Sequence, residues 1–517
     1  MKRAICLLLA VLLTFGFSAC KSAKKEKSAG VFTEEKTDAD IIENVKERFL
    51  QVTKIPRPSH HEEQISAYLY EWATSHGFSA ERDPVGNVIY DVPAMEGYEK
   101  LPLVVLQAHM DMVCVAAEGV DYDPLNDPIK PIVTDETITA DGTSLGADDG
   151  IGLALSMCVA EGLIAHGPIR IIYTVDEEDG MEGIFALDGK YVADAHYLIN
   201  LDAEQSDSVI VSTASGILLN YSAALGTEPV TGADKAYAVS IKGLLGGHSG
   251  IDIDKNRVNA TVNLAELIYA LRAAGIEFSV ASINGGSASN AIPLLSTAVI
   301  AIRSEDADKL KAAAADWQAD MNIRYRASDP DLFVQLEETA MPEKVMTADT
   351  LSDLLGFITH VPDGVNTMSP DVAGLVESSS NLGKFKADAD GLDAVVYLRS
   401  SDQDAQEILA DIQTDIAEKR GYTVTRSKSA DPWKYDPDSK LLKLVSEIFY
   451  ELNGEEIQVQ YLHAGLECGT FAILNSDLDM ISIGPDLNDV HSPKETCVLN
   501  GIPKSYRLLE KLLVSVD

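Results

Sequence analysis

Cysteine is scarce, with six in 517 residues, far too few for a disulfide scaffold. Cys114, Cys158, Cys468 and Cys497 show no metal-finger spacing and read as small core residues. Positive charge is also in short supply. The chain has 41 Lys+Arg against 81 Asp+Glu, a formal charge of −40. So acidic a surface repels phosphate backbones and argues against nucleic-acid partners, while favouring solubility and capture of cations. No repeat of fixed period runs through the chain, which argues against a solenoid. Long apolar runs are missing except for residues 4–17, shorter than the roughly 20 residues a membrane-spanning helix needs. What is present is an apolar fraction of 46%, enough for a large core and incompatible with wholesale disorder. The length suggests two to four domains at roughly 150 residues each.

Lys2 and Arg3 precede that apolar run, which ends in Phe17-Ser18-Ala19-Cys20. A basic start, an apolar middle and small residues before a cleavage point predict a secretory signal over residues 1–20. The end is similar to a bacterial lipobox, with Phe17 where Leu is usual. It predicts a lipid anchor at Cys20, the alternative being simple cleavage beside an incidental cysteine. Residues 21–31 are polar and small, a flexible tether. The expectation is an exported protein held at the cell envelope, on its periplasmic or surface side.

From about 38 to 212 helical and strand-like patterns alternate. Asp38–Val52 and Glu62–Thr74 have helical periodicity, Leu103–Leu106, Ile169–Val175 and Tyr197–Leu201 are apolar strands, and Gly150–Leu163 is a helix. This predicts an α/β domain with a mostly parallel sheet covered on both faces. After residue 215 the texture becomes α+β, with alternating strands such as Tyr237–Ile241 and Ala394–Leu398 beside helices such as Arg257–Ala273 and Gln403–Arg420. After 428 the first texture returns. The predicted organisation is a catalytic domain in two pieces, 32–214 and 429–517, with an inserted lid at 215–428.

The chemistry collects where those strands end. His109 and Asp111 follow LVVLQA, Asp176-Glu177-Glu178-Asp179 follow IRIIYTV, Asp202 follows HYLINL, and His491 follows MISIG. Asp148 and Asp149 open the helix of residues 150–163. Ligands of open parallel sheets bind beyond the carboxyl ends of the strands, so these groups should share one edge. Each alone has a plain structural explanation, such as a surface pair, a helix N-terminus or a turn. Their joint placement does not. Two imidazoles and several carboxylates suit Zn²⁺ or Co²⁺, and less well Mn²⁺. Two close cations with a shared carboxylate suit hydrolysis of an amide.

Taken together, LQAHMDMV, SLGADDGIG, TVDEEDGMEG, INLDAE, HAGLECG and HSPKE resemble the aminoacyl-histidine dipeptidases, dinuclear metallopeptidases related to carnosinase and peptidase T. IPRPSHHEEQIS, GGHSG, GGSASNAIP and LRSS fit the same family. The resemblance spans about residue 40 to the C-terminus. It implies that His109 and Asp202 bind one metal ion, that Glu178 and His491 bind the other, and that Asp148 bridges them. It further implies that Asp111 orients His109 and that Glu177 is the general base. In the lid it implies that His248 steadies the oxyanion. Asn290 and Arg399 would contact substrate, and Gly465 would let backbone approach it, with His463 structural. The lid is expected to mediate a homodimer. The implied activity is hydrolysis of unblocked dipeptides. A related deacylase or tripeptidase, or a binding lipoprotein without catalysis, remain alternatives.

Overall fold

The structure is a computed structural model that describes residues 36–370 and 372–517. The expected signal, Cys20 anchor and tether lie outside the described residues. The first described helix is capped by Thr37, whose hydroxyl accepts from the Asp40 amide while the Asp40 carboxylate accepts from the Thr37 amide. This reciprocal cap opens the helix Asp38–Val52.

An eight-stranded sheet follows the order Ala80–Arg82, Val88–Val92, Ile169–Thr174, Val104–His109, Tyr197–Asn200, Asp479–Ser482, Ser208–Thr213, Gln458–Leu462. Its central four strands, from Ile169–Thr174 to Asp479–Ser482, are parallel, whereas Val88–Val92 joins antiparallel. The sheet is therefore mixed at its edges and parallel where the site lies. Every residue of Val104–His109 is buried, as a strand covered on both faces requires. Val104, Leu106 and Ala108 share a core with the helices Asp38–Val52, Glu63–Ser75, Ala147–Ala160, Lys440–Asn453 and Ile502–Leu513. Val105, Ile172, Leu198 and Met480 pack on the opposite face with Ile184 and Phe471.

The chain then leaves this sheet. Ser208–Thr213 belongs to it, and Ser215–Ala223 belongs to a nine-stranded antiparallel sheet whose last strand, Thr423–Ala430, runs past the expected boundary at 428. Alternate residues of these strands, such as Leu219, Ile300 and Val396, share one apolar cluster with Leu264, Leu310, Leu354 and Leu409 from four helices. The helices thus cover one face. The fold is a catalytic α/β domain with an inserted α+β lid domain.

Two expected bounds shift for local reasons. The helix expected from 150 begins at Ala147, and Asp148 and Asp149 lie in its opening with non-helical backbone angles. The helix expected from Arg257 begins at Ala260, because the Asn259 side chain accepts from the Thr261 and Val262 amides and sets the start there.

Candidate active site

His109 is the last residue of its strand and is 1% exposed. Glu177 and Glu178 follow the neighbouring strand Ile169–Thr174, and Asp202 follows Tyr197–Asn200. Asp148 enters from the helix opening. His491 enters from the loop between the short strands Asp486–Asn488 and Thr496–Val498, with a positive φ of 59°. The parallel centre of the sheet therefore delivers His109, Glu177, Glu178 and Asp202 to one edge, and Asp148 and His491 meet them there from a helix opening and a neighbouring sheet.

Asp148 lies at their middle. Its Oδ1 is 3.0 Å from His109 Nε2, and its Oδ2 is 3.0 Å from His491 Nε2. Asp202 Oδ1 lies 3.4 Å from His109 Nε2, and Glu178 Oε2 lies 2.9 Å from His491 Nε2. One oxygen of Asp148 thus faces His109 and Asp202 while the other faces His491 and Glu178. His109–Asp148–Asp202 and Asp148–Glu178–His491 are each grouped closely enough to hold a metal ion. Glu178 Oε1 is buried without a hydrogen-bond partner, an orphan acceptor oxygen that fits a cation.

The electrostatics agree with that chemistry. Burial pushes the Asp202 and Glu177 carboxyls well above their ordinary range, and repulsion from Asp148 at Asp202 and from Asp202 and Glu178 at Glu177 adds to it. Burial works against charge on His491 too, but its contacts with Asp148 and Glu178 outweigh this and push it up to about 11. At Asp148 the penalty of burial is outweighed by His109 and His491, so its carboxyl falls. Carboxylates outnumber imidazoles at one buried point, and divalent charge is what would relieve them.

Asp111 does more than face the imidazole. Its Oδ1 is 3.3 Å from His109 Nδ1 and accepts from the Glu177 amide at 3.0 Å. Its Oδ2 accepts from the Glu178 amide at 3.2 Å and from the Ser59 hydroxyl at 2.8 Å. One buried carboxylate therefore aligns the His109 ring and the Glu177–Glu178 backbone. The pattern HMD indicates the first contact but not the second.

The lid residues form a second group. The His248 Nδ1 accepts from the Gly250 and Ile251 amides at 3.2 and 3.1 Å, so its proton sits on Nε2. That Nε2–H faces Arg399 Nη2 at 3.5 Å, two donors turned toward each other. Arg399 is 3% exposed with Nε unpartnered, its guanidinium 4.1 Å over the Tyr397 ring. Among the described residues no carboxylate is within ion-pair distance of it. Burial, then the Arg399 charge, lowers His248 to about 4. His463 is lowered to about 3 by burial and by Arg399 and His248, and its Nε2 meets Ser379 Oγ at 2.7 Å, joining the segment after 429 to the lid.

Asn290 is exposed, and its carbonyl accepts from the Ser249 amide at 2.8 Å, which ties it to the His248 loop. Gly465 faces protein: a Cβ there would meet Ala430 Cβ at 2.8 Å and Met181 Cε at 3.2 Å. Sequence reasoning passed over Glu467. It is fully buried beside Gln107 Nε2 at 2.5 Å and Thr174 Oγ1 at 2.7 Å, and burial, despite those hydrogen bonds, pushes it up to about 7. Its signal was an acid inside the apolar pattern of HAGLECG.

The model of peptidase family M20/M25/M40 matches residues 105–515. The cytosol non-specific dipeptidase of Escherichia coli (strain K12) is 33% identical over 470 residues, covering 90% of this chain and 96% of that protein. The crystal structure of aminoacylhistidine dipeptidase from Vibrio alginolyticus superposes with a TM-score of 0.83 at 32% identity, covering 92% of this chain and 96% of that one. The aminopeptidase PepT structure from Bacillus cereus, at 16% identity and a TM-score of 0.53 over 92% of this chain and 98% of that one, shares the fold. These findings correct the expectation of export to the envelope, because the Escherichia coli relative is by its name a cytosol protein. Among the described residues no helix is long and apolar enough to cross a membrane.

Proposed function

The chain belongs to peptidase family M20/M25/M40 and is a metallopeptidase; from that premise we propose that it hydrolyses the single amide bond of unblocked dipeptides, of Xaa-His type or broader. The observation that carries this reading is the division of the Asp148 oxygens between two donor groups. His109, Asp202 and one Asp148 oxygen would hold one cation, and Glu178, His491 and the other oxygen a second. Two imidazoles and three carboxylates suit Zn²⁺, with Co²⁺ and Mn²⁺ as substitutes. Bound there, such a pair supplies Lewis acidity toward the peptide carbonyl and acidifies an attacking water.

The chain's own groups then divide the work. Glu177, aligned through its amide by Asp111, takes the proton of the water and returns it to the leaving amine. Asp111 keeps the His109 ring in its ligating orientation. The Nε2–H of His248 and the guanidinium of Arg399 present donors to negative charge, and His248, held neutral, donates without competing for the proton. A planar fork with no internal carboxylate suits the free carboxylate of a dipeptide. Asn290, tied to the His248 loop, would contact the substrate, and Gly465 leaves room for the Ala430 and Met181 side chains packed against it.

The relatives are named as dipeptidases, which favours this substrate class. The test is turnover of dipeptides, tripeptides and N-acyl amino acids by the purified chain with added Zn²⁺, Co²⁺ or Mn²⁺. Preferential cleavage of dipeptides is expected. Turnover confined to N-acyl amino acids or tripeptides overturns the substrate class, and cation binding without turnover of any of them overturns catalysis.

A further inference from the structure

Two of the sequence motifs, IPRPSHHEEQIS and HSPKE, each carry a buried charged residue that the hydrolytic steps leave unused. Arg57 is 1% exposed and Glu495 is 2% exposed. Neither has an ion-pair partner among the described residues. Both instead spend their charge on backbone, and on the same piece of it.

The Glu495 carboxylate receives four successive amides. Its Oε2 accepts from Leu145 at 2.8 Å and Gly146 at 3.0 Å, and its Oε1 accepts from Ala147 at 2.7 Å and Asp148 at 3.4 Å. Arg57 grips the carbonyl side. Its Nη2 donates to the Gly146 carbonyl, and its Nη1 donates to Met110 and Asp111 carbonyls at 3.0 and 2.5 Å. The turn at 145–148 is thus held between a buried anion and a buried cation, and the cation also holds the backbone just after His109. Gly146 takes a φ of 69°, and a Cβ there would meet Met112 Sδ at 2.6 Å and Arg57 Nη2 at 2.7 Å, so the clamp leaves room for no other residue.

Such a clamp is costly unless something needs it. A buried carboxylate loses its hydration and recovers the loss only through well-aimed donors, and apolar packing would hold an ordinary turn. What the turn carries is Asp148, whose two oxygens face two different donor groups. A bridging carboxylate has to be right for both cations at once, so a small rotation of its backbone loosens both. Glu495 also stands four residues after His491, so the same segment supplies a donor to the second group and fixes the residue between the groups.

We infer that Glu495 and Arg57 are positioning residues that lock the backbone of Asp148, and so set the affinity of the site for its pair of cations. The inference rests on the dinuclear reading above. Neither residue touches the reacting atoms, and each acts through the 145–148 turn.

The test is titration of the intact, metal-stripped protein with Co²⁺, followed by its visible absorption, for the wild type, Glu495→Gln and the exposed neighbour Lys494→Ala. Gln keeps the size of Glu495 but turns an NH₂ group toward amide donors. Its titration midpoint should rise roughly 10–100-fold, as loss of a group supporting a ligand typically does, with an altered band shape. At saturating Co²⁺, kcat for a dipeptide should fall while KM holds within about twofold, since ground-state binding is untouched. Lys494→Ala should match the wild type in all of these. A Glu495→Gln protein with wild-type midpoint and spectrum but a lower thermal midpoint would make the residue merely structural and overturn the inference. Should Glu495→Gln fail to fold, Arg57→Lys, which keeps the charge and loses the fork, takes the same measurements with the same two readings. A wild type that binds no Co²⁺ would overturn the dinuclear reading itself, a result distinct from binding that the variants leave unchanged.

Discussion

At Glu177 the neighbours decide what the side chain can do. Its amide is held by Asp111, so its carboxylate has a fixed approach to the cluster without being one of the groups that share Asp148. Glu177→Gln keeps shape and removes the base, and kcat should fall by roughly 10²–10⁴-fold with metal content unchanged; loss of metal along with activity would make Glu177 a ligand instead. Arg399 is proposed to bind the substrate's carboxylate. Replacing its fork by the point charge of Lys should raise KM for dipeptides by about tenfold or more, the worth of one charge-assisted hydrogen bond of roughly 1.5–3 kcal/mol. Steady-state kinetics on one dipeptide, with kcat and KM separated, checks it. A fall confined to kcat would move Arg399 from substrate binding to the chemical step.

Elements are placed by capping and by burial on two faces. The helix Ala260–Ala273 starts where Asn259 caps it, and the same side chain donates from Nδ2 to Asp363 Oδ1 at 2.9 Å and to the Leu382 carbonyl at 3.2 Å. Asn259 therefore ties a helix start to two other parts of the lid. Asn259→Ala should lower the urea-unfolding free energy by at least about 1 kcal/mol, the usual worth of a cap, and by more because buried partners are left unsatisfied. Asn259→Asp should recover the cap but not the two donations. The strand Val104–His109 shows the other device. Its apolar run has the length of a strand and the texture of a doubly covered one, and both are legible without coordinates. By contrast the strand Ser208–Thr213 passes without a signal, because its apolar run is only Val209-Ile210-Val211, and the flanking Ser208, Ser212 and Thr213 are buried only by the strand's neighbours in the sheet.

For the whole molecule, the junction between the lid and the segment after 429 carries two histidines kept neutral, half-buried His248 at about 4 and buried His463 at about 3. The sign follows from linkage. In the unfolded chain both titrate near 6.5, so as pH falls below that value the unfolded state takes up protons that the folded state refuses. Their contribution to stability is whole above about pH 6.5 and is lost as pH falls toward the folded values. The slope is up to about 1.4 kcal/mol per pH unit for each group. His463→Gln should flatten the dependence of the urea midpoint between pH 6.5 and 4.5 relative to the wild type; parallel curves would place the acid sensitivity elsewhere. Chelation should also act globally, because the crowded carboxylates around Asp148 lose their counter-charge. Added Zn²⁺ should raise the thermal midpoint of stripped protein in a concentration-dependent way, and a midpoint indifferent to Zn²⁺ would mean that the site does not hold it.

How far each level could be read depends on how locally its cause acts. Strand and helix periodicities, the polar clusters at strand ends and the order of the motifs are properties of short stretches, and from them alone follow the α/β catalytic domain, the α+β insert and the candidate residues from His109 to His491. Contacts between distant stretches are not written in any one of them. The pairing of Asp148 with His491 spans 343 positions, the grip of Glu495 on Leu145 spans 350, and the double duty of Asp111 depends on a neighbouring strand. Backbone amides and carbonyls, moreover, look the same at every residue, so which of them a buried charge will hold is decided only when the sheet brings its strand ends together.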